Sequence, residues 1–287
     1  MQATLTTTLT LPLALAVVMF GLGLSLRGSD FTRVLAYPRA VWVGLAVQVL
    51  VLPLAAAGIA HLFNLPPVLA VGLMLLAASP GGAMANLYSH LAGGDVALNV
   101  TLTAVSSVLT AITLPIIVGL STLHFMGAGQ DMPLQFGKVA QVVALVLTPV
   151  ALGMLVNLRA PSLSARLRGP MKIVSIVVLA AVVGVAALQN RQDLVAHVRA
   201  VGAACLAFNL VSLAAGYGLP RLLKLDRRQA VAIGMEVGIH NAALAIAIAL
   251  SPSLLNSPQM AVPAAVYGAM MFFTAAGFGW LTTRGKL

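Results

Sequence analysis

Apolar residues run along this chain in long unbroken blocks separated by short polar gaps, without alternation inside a block. Strands of a membrane barrel would alternate over about ten residues. Continuous runs of about 20 apolar residues instead mark helices able to cross a hydrocarbon core of about 30 Å. The pattern predicts nine spans, near residues 7–26, 40–62, 67–92, 96–120, 137–157, 172–189, 200–219, 230–250 and 261–282. The expected fold class is an all-α polytopic membrane protein, with residues 1–287 forming a single transmembrane domain.

Two spans carry interruptions. The third contains Ser79-Pro80-Gly81-Gly82 at mid-span, where proline removes a donor and glycine weakens the helix. The eighth contains Gly238 between Glu236 and His240, with Asn241 following. Shifting the chain by 160 positions lays Leu62, Leu65, Ala70 and Val71 on Leu222, Leu225, Ala230 and Val231. The same shift lays Pro80-Gly81 on His240-Asn241 and Ala85 on Ala245. The first segment enters the membrane from one side and the second from the other. This predicts an inverted repeat, with repeat one near 1–125 and repeat two near 135–287. Unwound backbone is tolerated at membrane depth only where protein or a water-filled cavity satisfies it, so paired breaks point to a binding site.

Composition adds an orientation. Apolar residues make up 60% of the chain and charged residues 8%, with a formal net charge of +10. Such a charge could suit nucleic acid, but thirteen of the sixteen Lys and Arg fall in alternate gaps. These are Arg27, Arg33, Arg39, Arg159, Arg166, Arg168, Lys172, Arg221, Lys224, Arg227, Arg228, Arg284 and Lys286, against Lys138, Arg191 and Arg199 on the other side. Positive gaps stay cytoplasmic, so the expected topology has the N-terminus outside and the C-terminus inside the cell (inner) membrane. Neither nucleic acid nor an obligatory protein partner is expected; the surroundings are membrane lipid. The first span lacks a basic leader and a clear cleavage site, and is read as a retained helix. Cys205, alone in an apolar span, is read as a packed core thiol.

The chemistry concentrates on Glu236. A carboxylate within an apolar span costs several kcal/mol unless paired, solvated or bound to a cation. No Lys or Arg shares its span, and His240 is its one titratable neighbour there. Each broken helix also starts a second half near the midplane, whose free N–H groups and partial positive charge suit an anion. The carbonyls that end the first halves suit a small cation. No phosphate loop, dinucleotide fingerprint or His/Cys metal spacing is present, and Glu236 and His240 lack a nucleophile beside them, so no enzyme is expected.

Ser79-Pro-Gly-Gly-Ala-Met-Ala-Asn86, Gly94-Asp-Val-Ala-Leu-Asn-Val-Thr-Leu-Thr-Ala-Val-Ser106 and Glu236-Val-Gly-Ile-His-Asn241 together resemble the bile acid:sodium symporter (BASS) family. The resemblance covers essentially the whole chain and suggests a bacterial member with nine helices, lacking the first helix of the first repeat. It implies a panel and a core domain, with the two broken helices crossing in the core. It also implies two sodium sites. The first would use Asn86, Asn99, Thr103 and Glu236; the second Gln48, Glu236, the carbonyls of Val237 and Ile239, and the side chain of His240. Asn241, Gly82, Ala83 and Asn209 are expected toward the substrate. Position 240 is usually Gln in the family, position 99 usually Ser, and positions 83 and 85 commonly carry hydroxyls. Sodium prefers oxygen, whereas His240 offers nitrogen.

The expected function is secondary active import of an organic anion, a small carboxylate such as pantoate or a bile-acid-like molecule, coupled to sodium by alternating access. Alternatives are a proton-coupled or uncoupled carrier of the same fold using Glu236 and His240, or a passive pore. Asp95 is expected to cap a helix; Ser106, Ser107 and Thr110 are expected as packing surface; His61, His90, His124 and His197 carry no expected role.

Overall fold

The apolar runs become helices whose backbone groups bond internally, as hydrocarbon requires. The computed structural model describes residues 5–284 except 128–135, 172, 175–176, 178–190 and 253. In chain order the principal helices are α1 (Leu5–Gly23), α2 (Pro38–Leu62), α3 (Pro67–Ala78), α4 (Ala83–Leu91), α5 (Val96–Met126), α6 (Phe136–Arg159), α7 (Arg191–Leu222), α8 (Arg227–Gly238), α9 (Ala242–Leu250) and α10 (Pro258–Arg284), with short helical pieces over Gly28–Thr32, Arg33–Leu35 and 161–171. Among the described residues the secondary structure is helical throughout, apart from one isolated antiparallel bridge. Four stretches among the described residues are long and apolar enough to cross a membrane: Pro38–Leu62, Val96–Met126, Val198–Leu222 and Pro258–Arg284. The expected span at 172–189 lies almost wholly outside the described residues.

Helix ends follow local chemistry. Asp95 accepts from the Leu98 amide and starts α5; Asp226 accepts from the Gln229 amide and starts α8. After α2, Asn64 takes a positive φ of 49° while Leu65 N–H donates to Ala60 O and Asn64 N–H to His61 O. After α7, Lys224 takes φ 60° while Leu225 N–H donates to Pro220 O and Lys224 N–H to Arg221 O. Both are left-handed caps of the same type. Every residue of the second cap stands 160 positions after its counterpart in the first.

Packing sorts the helices into two groups. α7 lies on α8 and α10, α3 on α5 and α10, α9 on α10, and α8 on α4 and α5. α1 packs mainly on α6, where Gly23 and Gly153 let the backbones approach: a Cβ on Gly23 would stand 2.9 Å from Val150 Cα. This pair meets the larger group through α1–α9 and α5–α6. The arginine-rich gaps gather at one end of the bundle. Arg39 donates to Leu223 O, Asp95 N–H donates to Arg228 O, and Arg168 donates to Leu24 O and Asn157 Oδ1. Cys205 is buried, its thiol donating to Pro263 O at 3.5 Å, the packed core residue expected of it.

Candidate ion and substrate site

α3 and α8 are each 12 residues, and α4 and α9 each 9. At 1.5 Å per residue each piece spans only about 14–18 Å, about half the thickness of a hydrocarbon core. The first break occupies 79–82, as expected. The second begins one residue later than expected: Gly238 is the last helical residue of α8, and 239–241 are unwound. Gly238 serves close packing there, because a Cβ would stand 2.8 Å from Leu213 Cγ.

The two breaks meet. Gly81 and His240 form an antiparallel bridge, and Asn241 N–H donates to Pro80 O at 2.8 Å. Each unwound segment thus satisfies part of the other's backbone, an economy that hydrocarbon surroundings make compulsory. Gly81 permits the approach: a Cβ would lie 2.5 Å from Glu236 Oε1 and 2.7 Å from Glu236 O.

Glu236, only 2% exposed, lies at the heart of the crossing. Thr103 Oγ1 donates to its Oε2 at 2.7 Å, and Ser106 Oγ reaches its Oε1 at 3.4 Å. Neither hydroxyl brings a positive charge. Among the described residues the one ion pair is Arg33–Asp30, far from here in the arginine-rich gap. Asn99 is fully buried; its Nδ2 donates to Ala232 O at 2.6 Å, leaving Oδ1 without a protein partner. Asn86 Oδ1 is likewise buried and unpartnered. Hence Asn99, Thr103 and Glu236 are joined through short contacts between α5 and α8, and Asn86 supplies a further orphan oxygen from α4.

A second layer of side chains holds the carbonyls freed by the breaks. Pro53 cannot donate into its own helix, and α2 slips into a π-helical turn over Val47–Val51 just before it. Gln48 lies in that turn; its Nε2 donates to Ala77 O and Ser79 O, both at 3.1 Å, and its Oε1 has no protein partner. His240 Nδ1 donates to Ser79 O at 2.9 Å, leaving Nε2 buried and unpartnered. In the other break, Gly238 O accepts from Asn209 Nδ2 at 3.0 Å and from Tyr267 Oη at 2.9 Å. The His240 ring stacks on Phe208 with centroids 5.5 Å apart and meets Tyr267 edge-on at 5.3 Å. Val237 and Ile239 are buried in the same layer.

The substrate-facing candidates divide. Asn209 is wholly buried and acts on Gly238 O. Asn241 caps α9, its Oδ1 accepting from Leu244 N–H at 3.0 Å, which leaves its amide nitrogen for another partner. α4 has no side-chain cap because Gly82 stands at its N-cap, and a Cβ there would meet nothing within 4 Å. Ala83 opens α4; its side chain lies outside the described residues.

Sequence reasoning missed Ser106, Phe208 and Tyr267. Ser106 stands three positions after Thr103, hence on the same helix face, a signal that was present. A tyrosine hydroxyl buried in a membrane span must also find a partner, which pointed toward Tyr267.

Apolar helices enclosing two broken segments and a carboxylate without a basic partner define a membrane transport protein. Comparison with known proteins agrees: the model of the sodium bile acid symporter family matches residues 12–197. The chain is 30% identical over 249 residues to the "Uncharacterized sodium-dependent transporter YocS" of Bacillus subtilis, covering 86% of this chain and 75% of that one. It is 29% identical over 246 residues to the "Probable sodium/metabolite cotransporter BASS1, chloroplastic" of Arabidopsis thaliana, covering 86% and 60%. It is 32% identical over 214 residues to the human "P3 protein", covering 74% and 44%. The chain belongs to the sodium bile acid symporter family, and it is a transporter, not an enzyme.

Proposed function

We propose that this protein is a secondary active transporter that imports an organic anion together with sodium across the cell membrane by alternating access. The observation carrying this reading is Glu236: a buried carboxylate met by the Thr103 and Ser106 hydroxyls and the Gly81 backbone but by no basic group, with buried unpartnered oxygens on Asn99 of the same helix as Thr103 and on Asn86. A buried anion of this kind calls for a dissociable cation. Hydroxyl, amide and carboxylate oxygens suit a hard ion such as sodium. Asn86, Asn99, Thr103 and Glu236 would hold it, and Ser106 joins them as a ligand or orienting group.

A second cation is weakly provided for. Gln48 and His240 direct nitrogen donors at the carbonyls of Ala77 and Ser79, and Gly238 O takes two further protein donors. The oxygens expected at a second site are others, namely Gln48 Oε1, which is buried without a protein partner, Glu236 and the carbonyls of Val237 and Ile239, and His240 offers nitrogen there, so the second sodium would be the more weakly held.

The anion is assigned to the start of α4, which lacks a side-chain cap and is open at Gly82, with the free amide nitrogen of Asn241 contributing. Sodium between α5, α8 and α4 steadies the break from which that helix end projects, the differential stabilisation that coupling requires. The caps 160 residues apart support two inverted repeats, near 1–125 and 135–287. The α1–α6 pair would form part of a panel moving against the remaining core, with the arginine-rich end cytoplasmic. The family's name for bile acids and a relative's for metabolites support a small organic substrate, and we read it as a carboxylate-bearing anion.

The test is uptake into proteoliposomes across a panel of carboxylates, with sodium and pH gradients imposed separately. Saturable uptake driven by an inward sodium gradient is expected. Uptake driven by protons alone would favour the coupling alternative through Glu236 and His240, and non-saturable flux would indicate a pore.

A further inference from the structure

At the end of the bundle opposite the arginine-rich gaps, α2 and α5 bring two histidines together. His61 stands in the last turn of α2 and His124 in the last turn of α5, and both side chains are exposed. Their Nε2 atoms lie 2.7 Å apart, and the ring planes meet at 86°. Phe125, packed against the core, backs both rings with centroids 5.0 Å from His61 and 4.8 Å from His124. Two nitrogen lone pairs aimed at one point need a shared electrophile between them. A single proton can serve, and so can a metal ion. Both rings also sit at helix C-termini, where partial negative charge favours a cation.

We propose that His61 and His124 form a surface site for a divalent transition metal of the zinc, copper or nickel class. Imidazole nitrogen suits these ions, whereas magnesium and calcium select oxygen. Zinc–nitrogen bonds of about 2.0–2.1 Å in tetrahedral geometry place two ligands about 3.3 Å apart. The rings, now head-on, must therefore separate by roughly 0.6 Å and each turn by about 35° so that both nitrogens point at the ion, a rotation open to exposed side chains. No cluster of three or more His, Cys, Asp or Glu occurs among the described residues. Two imidazoles leave the remaining positions to water or to exchangeable ligands. It ties the far end of α2, which carries Gln48, to the far end of α5, which carries Asn99 and Thr103. This site stands independently of the transport reading.

The test uses the full chain purified in detergent, with any affinity tag removed and residual metal stripped by chelator. Zinc is titrated calorimetrically, and copper(II) is followed by electron paramagnetic resonance. Wild type should bind zinc, and its copper spectrum should show hyperfine structure from two nitrogens. His61→Ala and His124→Ala should each weaken zinc binding by about tenfold or more, since a chelate loses one of two ligands. His61→Gln and His124→Gln, which keep polar bulk at the same positions, should do the same while eluting as wild type in gel filtration. Magnesium should not compete. Absence of zinc and copper binding in wild type would overturn the proposal, as would wild-type affinity in a variant carrying both His61→Ala and His124→Ala.

Discussion

Replacing Glu236 by Gln removes one charge while keeping nearly the same shape, and its effect can be worked through. The carboxylate accepts from Thr103 at 2.7 Å and, more loosely, from Ser106 at 3.4 Å. A hydrogen bond to a charged group contributes about 1.5–3 kcal/mol and a neutral one about 1 kcal/mol. The amide oxygen can keep the Thr103 bond, so the loss is on the order of 1 kcal/mol. Against it stands the removal of a buried charge without a basic partner, which costs several kcal/mol in wild type. In sodium-free buffer Glu236→Gln should therefore unfold at the same temperature as wild type or higher. Sodium reverses the order. A ligand at 100 times its dissociation constant adds about 2.7 kcal/mol to the native state. At about 2–4 °C per kcal/mol this shifts the wild-type midpoint by about 5–10 °C. The assay is thermal unfolding in detergent, with sodium chloride exchanged for potassium or choline chloride at constant ionic strength. Wild type should show the sodium-specific shift and the variant should not. An undiminished shift in Glu236→Gln would refute the assignment of the cation to this carboxylate.

The remaining expectations concern the crossing. Gly81→Ala places a methyl group 2.5 Å from Glu236 Oε1, an overpacking that costs about 1–3 kcal/mol; sodium-driven uptake should fall sharply while membrane-inserted protein persists, and normal uptake would show that the breaks separate freely. Tyr267→Phe leaves Asn209 still donating to Gly238 O and should cost about 1 kcal/mol in unfolding measurements. Adding Asn209→Leu should cost more than the sum of the two single changes, because the carbonyl is then left bare; simple additivity would contradict the shared role. His240→Gln restores an amide oxygen at the crossing, and the sodium dependence of uptake should become steeper; an unchanged slope would mean that position 240 does not limit a second ion.

Much of the molecule was legible from local pattern. A block of about 20 apolar residues has little alternative in lipid to forming a helix, because each backbone group must bond internally. Asp95 and Asp226 announce helix starts through a side-chain oxygen within reach of the third amide onward. Glu236 stood out because a carboxylate in an apolar span demands explanation wherever the span packs. What sequence could not decide was which polar atoms remain free once the chain is folded. Gln48 and His240 are polar residues at membrane depth, but only packing sets their nitrogens on Ser79 O and leaves Gln48 Oε1 and His240 Nε2 unpartnered. Tyr267 lies 29 positions from the carbonyl it holds, and Phe208 lies 32 from the imidazole it covers. His61 and His124, unremarkable 63 positions apart, become a pair because two helices end side by side. Span, break and lone charge are properties of a local segment against its solvent, and sequence determines them; hydrogen-bond partners across the bundle depend on which helix faces which, and only tertiary packing determines that.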